Sequence, residues 1–143
     1  MSSPSASPIE GSRSSSRSTG RSVVAIVAGI LTNAIPALLV DQLLHTLAVY
    51  PPWGQPMFDP LLNLLALSYR IGFAVLGGYV AARLAPSAPE RHGVILGCVG
   101  ILLAGFGAYV TITTMDIGPD WYPLSLVAIS LPASWLGARL YRR

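Results

Sequence analysis

Lysine is absent from the 143-residue chain, cysteine occurs once, and only 10% of residues are charged. A water-soluble domain carries about 25% charged residues, so a shortfall of this size means that most of the surface faces something other than water. The single cysteine, Cys98, excludes an intrachain disulfide, a CxxC redox pair and a Cys/His zinc finger. No Gly-rich phosphate loop fits "LGGYVAAR", which has neither a preceding strand nor a lysine within it. Serine-hydrolase, kinase and paired-carboxylate patterns are likewise missing, and the sequence reads as non-enzymatic, with no cofactor. The net charge of +3 does not indicate nucleic acid, because the arginines lie at the ends of apolar blocks rather than along an aromatic-lined basic groove.

What is present is apolar: 52% of residues are hydrophobic and the mean hydropathy is +0.59. These residues gather into four blocks, 23–49, 61–84, 93–114 and 121–138. Each approaches or exceeds the roughly 20 residues needed to cross a hydrocarbon core of about 30 Å. Within lipid only helices or closed barrels satisfy the backbone, and runs of this length without period-2 alternation are helices. The expected fold is therefore all-α, an integral membrane bundle of four transmembrane helices. The links "YPPWGQPMFDP", "APSAPERHG" and "MDIGPDWYP" carry helix breakers and are short enough to make successive helices antiparallel neighbours.

Residues 1–22 hold ten serines and three arginines and almost nothing able to build a core, which predicts a disordered cytoplasmic tail. The segment is Ser/Arg-rich and acid-poor like an organellar transit peptide, yet lacks the apolar face of one. The apolar run after it is far longer than a signal-peptide core, so the first block is read as an uncleaved span.

Eight of the nine arginines lie on one side if four helices cross: Arg13, Arg17, Arg21, Arg83, Arg91, Arg139, Arg142 and Arg143. The loops on the other side carry Asp59, Asp116 and Asp120 and no basic residue. The positive-inside rule then places both termini in the cytoplasm. Tyr50, Trp53, Trp121 and Tyr122 fall at the outer interface and Trp135 and Tyr141 at the inner one, as aromatic belts do.

The ninth arginine is Arg70, ten residues inside the outer end of the second block, a depth of about 15 Å at 1.5 Å per residue. Asp41 lies nine residues from Tyr50 on the first block, hence about 13 Å deep. An unpaired charge at a helix centre costs roughly 2.5–3.5 kcal/mol on insertion scales, and two opposite charges at matched height offset much of that. An Asp41–Arg70 ion pair inside the bundle is expected, and Asp41, His45, Arg70 and Tyr69 make up the candidate intramembrane polar site. Each charge sits in a four-residue series of small residues, Ala66–Ala74–Gly78–Ala82 around Arg70 and Ala25–Gly29–Asn33–Ala37 before Asp41. Helix 3 adds Gly93, Gly97, Gly100, Ala104 and Ala108. Small residues at this spacing let membrane helices approach closely.

His45 follows Asp41 at i+4, a spacing that brings side chains together. It is expected to hydrogen-bond Asp41 or interfacial water, or to relay a proton with it. No further ligand completes a metal site there. Polar residues concentrate in the outer half, which predicts a wet outward vestibule over a dry inner floor. Pro36 and Pro132 lie within spans, where membrane helices accommodate them.

The stretch "ALSYRIGFAVLGGYVAARLAPSAPERHGVILG" followed by "GPDWYPLSLVAISLPASWLGARL" resembles small four-span bacterial inner-membrane proteins of uncharacterised function. The Tyr-Arg and Gly-Gly-Tyr elements and the Trp-Tyr-Pro opening of the last block carry the resemblance, which implies architecture and bacterial inner-membrane residence but no activity. Two functions from different classes follow. One is an accessory or scaffold module whose partners are the bilayer and another membrane protein, or a second copy met through small-residue faces. The other is a small proton- or solute-linked carrier using Asp41, His45 and Arg70.

Overall fold

A computed structural model describes the backbone of residues 8–141 and the side chains of residues 16–141. Among the described residues the chain is all helical: α1 (Pro8–Thr46), α2 (Pro60–Leu84), α3 (Pro89–Val110), a π-helical turn (Thr111–Met115) and α4 (Trp121–Tyr141). Four helices are long and apolar enough to cross a membrane, as a multi-pass membrane protein requires.

The first helix departs from expectation at its start. Residues 1–7 of the expected disordered segment lie outside the described residues, but from Pro8 onward the backbone is helical and continuous with the span. The physical reason is cooperativity: once the apolar span has nucleated a helix, each added residue gains a hydrogen bond for the dihedrals it fixes. Serine disfavours that extension by only a few tenths of a kcal/mol, and Pro8 at the first helical position needs no N–H partner. At its other end α1 stops at Thr46, three residues before the expected boundary, and the chain turns through Ala48 at a positive φ of 55°.

The other boundaries follow from local chemistry. Asp59 caps α2 by accepting from the N–H groups of Leu61 at 2.8 Å and Leu62 at 3.4 Å, and Pro60 occupies the first turn, where its missing N–H costs nothing. Asn63 is 2% exposed, and its Nδ2 donates to the carbonyls of Met57 at 2.9 Å and Asp59 at 2.8 Å. Met57 N–H in turn donates to Ile117 O at 2.8 Å, joining the two arginine-free loops. Both internal prolines, Pro36 and Pro132, are accommodated without interrupting α1 or α4.

The packing is inside-out relative to a soluble domain. The buried positions are small, among them Ala25, Ala37, Ala66, Ala74, Ala81, Ala82, Ala108, Ala133 and Ala138, whereas leucines such as Leu39, Leu61 and Leu102 point outward. Small residues draw the backbones together where lipid supplies no hydrophobic drive between helices. Gly29 of α1 and Gly77 of α2 face each other so closely that a Cβ on either would lie under 3.0 Å from the other's carbonyl oxygen. Around the bundle, α2 packs extensively on α1 and α4, and α4 on α3, while α1 meets α3 only sparsely. The contact between α1 and α3 falls where Leu96 reaches Gly29, towards the arginine-rich end. Nearer the other end the helices enclose open space, and the intramembrane charges lie there.

Candidate functional site

Asp41 is buried on α1, and both of its carboxylate oxygens are taken by α2. Arg70 donates from Nη2 to Oδ2, and the neighbouring Tyr69 donates its hydroxyl proton to Oδ1. Consecutive helical residues diverge by about 100°, so a long phenol and a long guanidinium on adjacent positions straddle the carboxylate from two sides. The expected Asp41–Arg70 pair is thus seen, and Tyr69, a member of the candidate polar site, joins it on the second oxygen.

A second layer holds this clamp. The Tyr50 hydroxyl lies 3.3 Å from that of Tyr69 and donates to the Leu62 carbonyl at 3.4 Å. Tyr50 belongs to the loop after α1, yet only 4% of it is exposed. Burial pushes its phenol above the ordinary value near 10, so it stays a neutral hydrogen-bonding group. Tyr122 of α4 lines the cavity beside Arg70.

His45 does not join the clamp, contrary to the i+4 expectation. Its Nδ1 donates to the Pro51 carbonyl at 2.5 Å, and its ring stacks on Trp53 with centroids 3.9 Å apart. Trp53 is fixed in turn by donating Nε1–H to Gln42 Oε1 at 3.2 Å. The cause is competition: α2 already engages both oxygens of Asp41, while the loop folding back over the end of α1 offers His45 a carbonyl and an aromatic face. His45 therefore anchors that loop. Asn63 belongs to the polar outer half that the sequence indicates, whereas Tyr50 and Tyr122 are members of the region that sequence reasoning treated only as interfacial. No short-range spacing signals them, because each is brought in by a turn or by another helix.

Two cavities meet at Arg70. An outer one of about 350 Å³ is lined by Asp41, His45, Tyr50, Trp53, Arg70 and Tyr122 among others. A deeper one of about 330 Å³ is enclosed by all four helices and is lined by Asn33, Ala74, Leu96, Gly100 and Ser130 among others. Arg70, Ala104 and Leu126 line both. The outer vestibule is present as expected, but the dry floor is not directly beneath the charges. The closed floor is one level lower, where Ala25, Ala81, Ala82 and Leu96 pack with almost no exposure. Small residues on α1 and α3 leave the intervening space unfilled because these two helices do not close on each other at that depth.

The guanidinium is incompletely satisfied. Its Nε is buried without an acceptor, while the side chain as a whole is 31% exposed, against 8% for Asp41. Among the described residues no group of three His, Cys, Asp or Glu side chains is placed to hold a metal ion.

Four spanning helices around a charged clamp define a helical, multi-pass membrane bundle. No family model matches the chain, and no curated protein and no solved structure matches it either.

Proposed function

We propose that the chain is a non-enzymatic protein of a bacterial inner membrane, an accessory or interaction module with both termini in the cytoplasm. The observation that carries this reading is the engagement of both Asp41 oxygens by α2: with Arg70 on one and Tyr69 on the other, the carboxylate serves to fasten α1 to α2. A registry role is the best-attested use of buried charge. The partners are the bilayer and another membrane protein or a second copy. Most glycines of the small-residue series are consumed within the bundle, but Gly72 of α2 and Gly105 and Gly107 of α3 present open space to their surroundings and leave room for such contacts.

The distribution of arginines supports the orientation, and labelling tests it. In a Cys98→Ser background, Gln55→Cys should react with a membrane-impermeant maleimide in intact spheroplasts. Ser87→Cys should react only after permeabilisation. Both positions are exposed, so access is decided by the membrane alone. The reverse pattern overturns the assignment of the termini.

A small proton- or solute-linked carrier is the second reading, favoured by one observation: Arg70 stands between the outer and the deeper cavity. Opening the clamp would join them. Proteoliposomes containing a pH-sensitive dye separate the two readings. The accessory module predicts that wild type and Asp41→Asn are indistinguishable from empty vesicles. Wild-type flux that is lost in Asp41→Asn establishes the carrier and removes the module.

A further inference from the structure

The deeper cavity beside Arg70 runs along the helices rather than across them. Its wall on α1 extends from Ile30 to Leu38 and on α3 from Leu96 to Ala104, each a rise of about 12 Å at 1.5 Å per residue. It is not closed to lipid. Leu38 and Leu103 stand on its walls yet are 59% and 60% exposed, and they belong to the two helices that meet only sparsely. The gap between α1 and α3 is therefore a side entrance at the depth of the hydrocarbon core.

Three observations bear on what enters. First, the wall is mostly aliphatic, and a volume of about 330 Å³ lies within the range of roughly 300–1,000 Å³ usual for small-molecule sites. Second, Asn33 lines the cavity thirteen residues before the end of α1, about 20 Å along the helix. Among the described residues its carboxamide has no hydrogen-bond partner, and its polar atoms are not shut away as Arg70 Nε is. An asparagine within a span ordinarily bonds across to another helix. Third, Arg70 lines the cavity with a side chain that is 31% exposed. A guanidinium carries more N–H donors than Asp41 and Tyr69 together can accept, while Asp41 already balances its charge. The cavity thus offers hydrogen-bond donors without net charge.

We propose that the deeper cavity binds the headgroup of a lipid-soluble quinone. An oxidised quinone is uncharged, accepts hydrogen bonds at its carbonyl oxygens and resides in the hydrocarbon core, from which the gap between α1 and α3 admits it. Arg70 and Asn33 donate to the carbonyls, and the tail leaves between Leu38 and Leu103. A fatty acid would bring a net negative charge into a site whose arginine is already paired, and desolvating that charge is costly. The ester carbonyls of a phospholipid stay near the interface, whereas Arg70 is about 15 Å deep. The proposal concerns binding alone and rests on neither of the two readings given above.

The test titrates the full-length protein, in nanodiscs of phosphatidylcholine, with decylubiquinone and follows the melting temperature. Wild type should gain stability saturably. Asn33→Leu, a change of similar size, should need about fivefold more quinone, the effect of losing one hydrogen bond. Ala34 is exposed and lines the cavity, so Ala34→Phe places a ring in the entrance and should abolish the gain. Ile35→Phe, on the exposed neighbour outside the lining, should leave it unchanged. Decylbenzene, which carries the same tail and no carbonyl, should produce no gain. The proposal is overturned by wild type that does not respond, by an equal response to decylbenzene, by undiminished affinity in Asn33→Leu, or by Ile35→Phe as damaging as Ala34→Phe.

Discussion

Asp41→Ala and Arg70→Ala each strip the membrane of most of its folded protein, and the double exchange Asp41→Arg with Arg70→Asp brings most of it back. Removing one partner of a buried ion pair costs about 3–5 kcal/mol, because the other charge is left uncompensated. Against a total stability of roughly 5–15 kcal/mol, that loss takes most of the margin. The exchange restores the attraction between α1 and α2 at the same depth. It does not restore everything, since Tyr69 then stands beside a carboxylate on its own helix rather than facing one on α1. A hydrogen bond to a charged group contributes about 1.5–3 kcal/mol, and the shortfall of the exchanged protein should match the loss in Tyr69→Phe alone. The monodisperse fraction after mild detergent extraction, measured for all five proteins, reads these differences. An exchange as poor as either single variant shows that the pair does not hold the bundle together.

The clamp was legible because depth is a one-dimensional quantity. Counting residues from a shared loop places Asp41 and Arg70 at one height, and the cost of a lone charge in lipid does the rest. The four spans are legible for a similar reason, since length and the absence of charge decide them. His45 shows where such reasoning stops: the i+4 spacing gives proximity to Asp41 but cannot show that the carboxylate is already filled from another helix. The fold-back of residues 50–53 is equally hidden, because it depends on a positive φ at Ala48, a non-glycine residue that no composition rule would single out. The deeper cavity beneath Arg70 went unread because small residues announce close approach without naming the pair of helices that achieves it. Here α2 and α4 pack closely on each other, whereas α1 and α3 meet only sparsely, near Gly29 and Leu96. The helical start at Pro8 was missed because composition describes a segment in isolation, whereas this one continues a helix already formed.

The contact between α2 and α4 therefore makes the sharpest demand on side-chain size. A Cβ at Gly137 would lie 1.9 Å from the Val75 carbonyl oxygen and 2.8 Å from the Tyr79 backbone nitrogen. One at Gly78 would lie 2.0 Å from the Ser134 carbonyl oxygen. The two glycines face backbone reciprocally, each helix meeting the other's carbonyls, and a carbonyl oxygen cannot rotate out of the way as a side chain can. Gly137→Ala or Gly78→Ala must therefore push the helices apart, giving up contact along the whole interface. Overpacking of this kind typically costs about 1–3 kcal/mol and more where backbone must move, so these substitutions belong at or above the top of that range. Gly72 and Gly105 are the controls, because a Cβ at either meets nothing within 4 Å. Alanine there should be harmless or mildly stabilising, in keeping with its helix preference of about 1 kcal/mol over glycine. Thermal melts followed by the size-exclusion peak of the detergent-solubilised protein compare the four variants directly. If Gly137→Ala melts no lower than Gly72→Ala, α2 and α4 do not touch backbone to backbone and the helix arrangement described here is wrong.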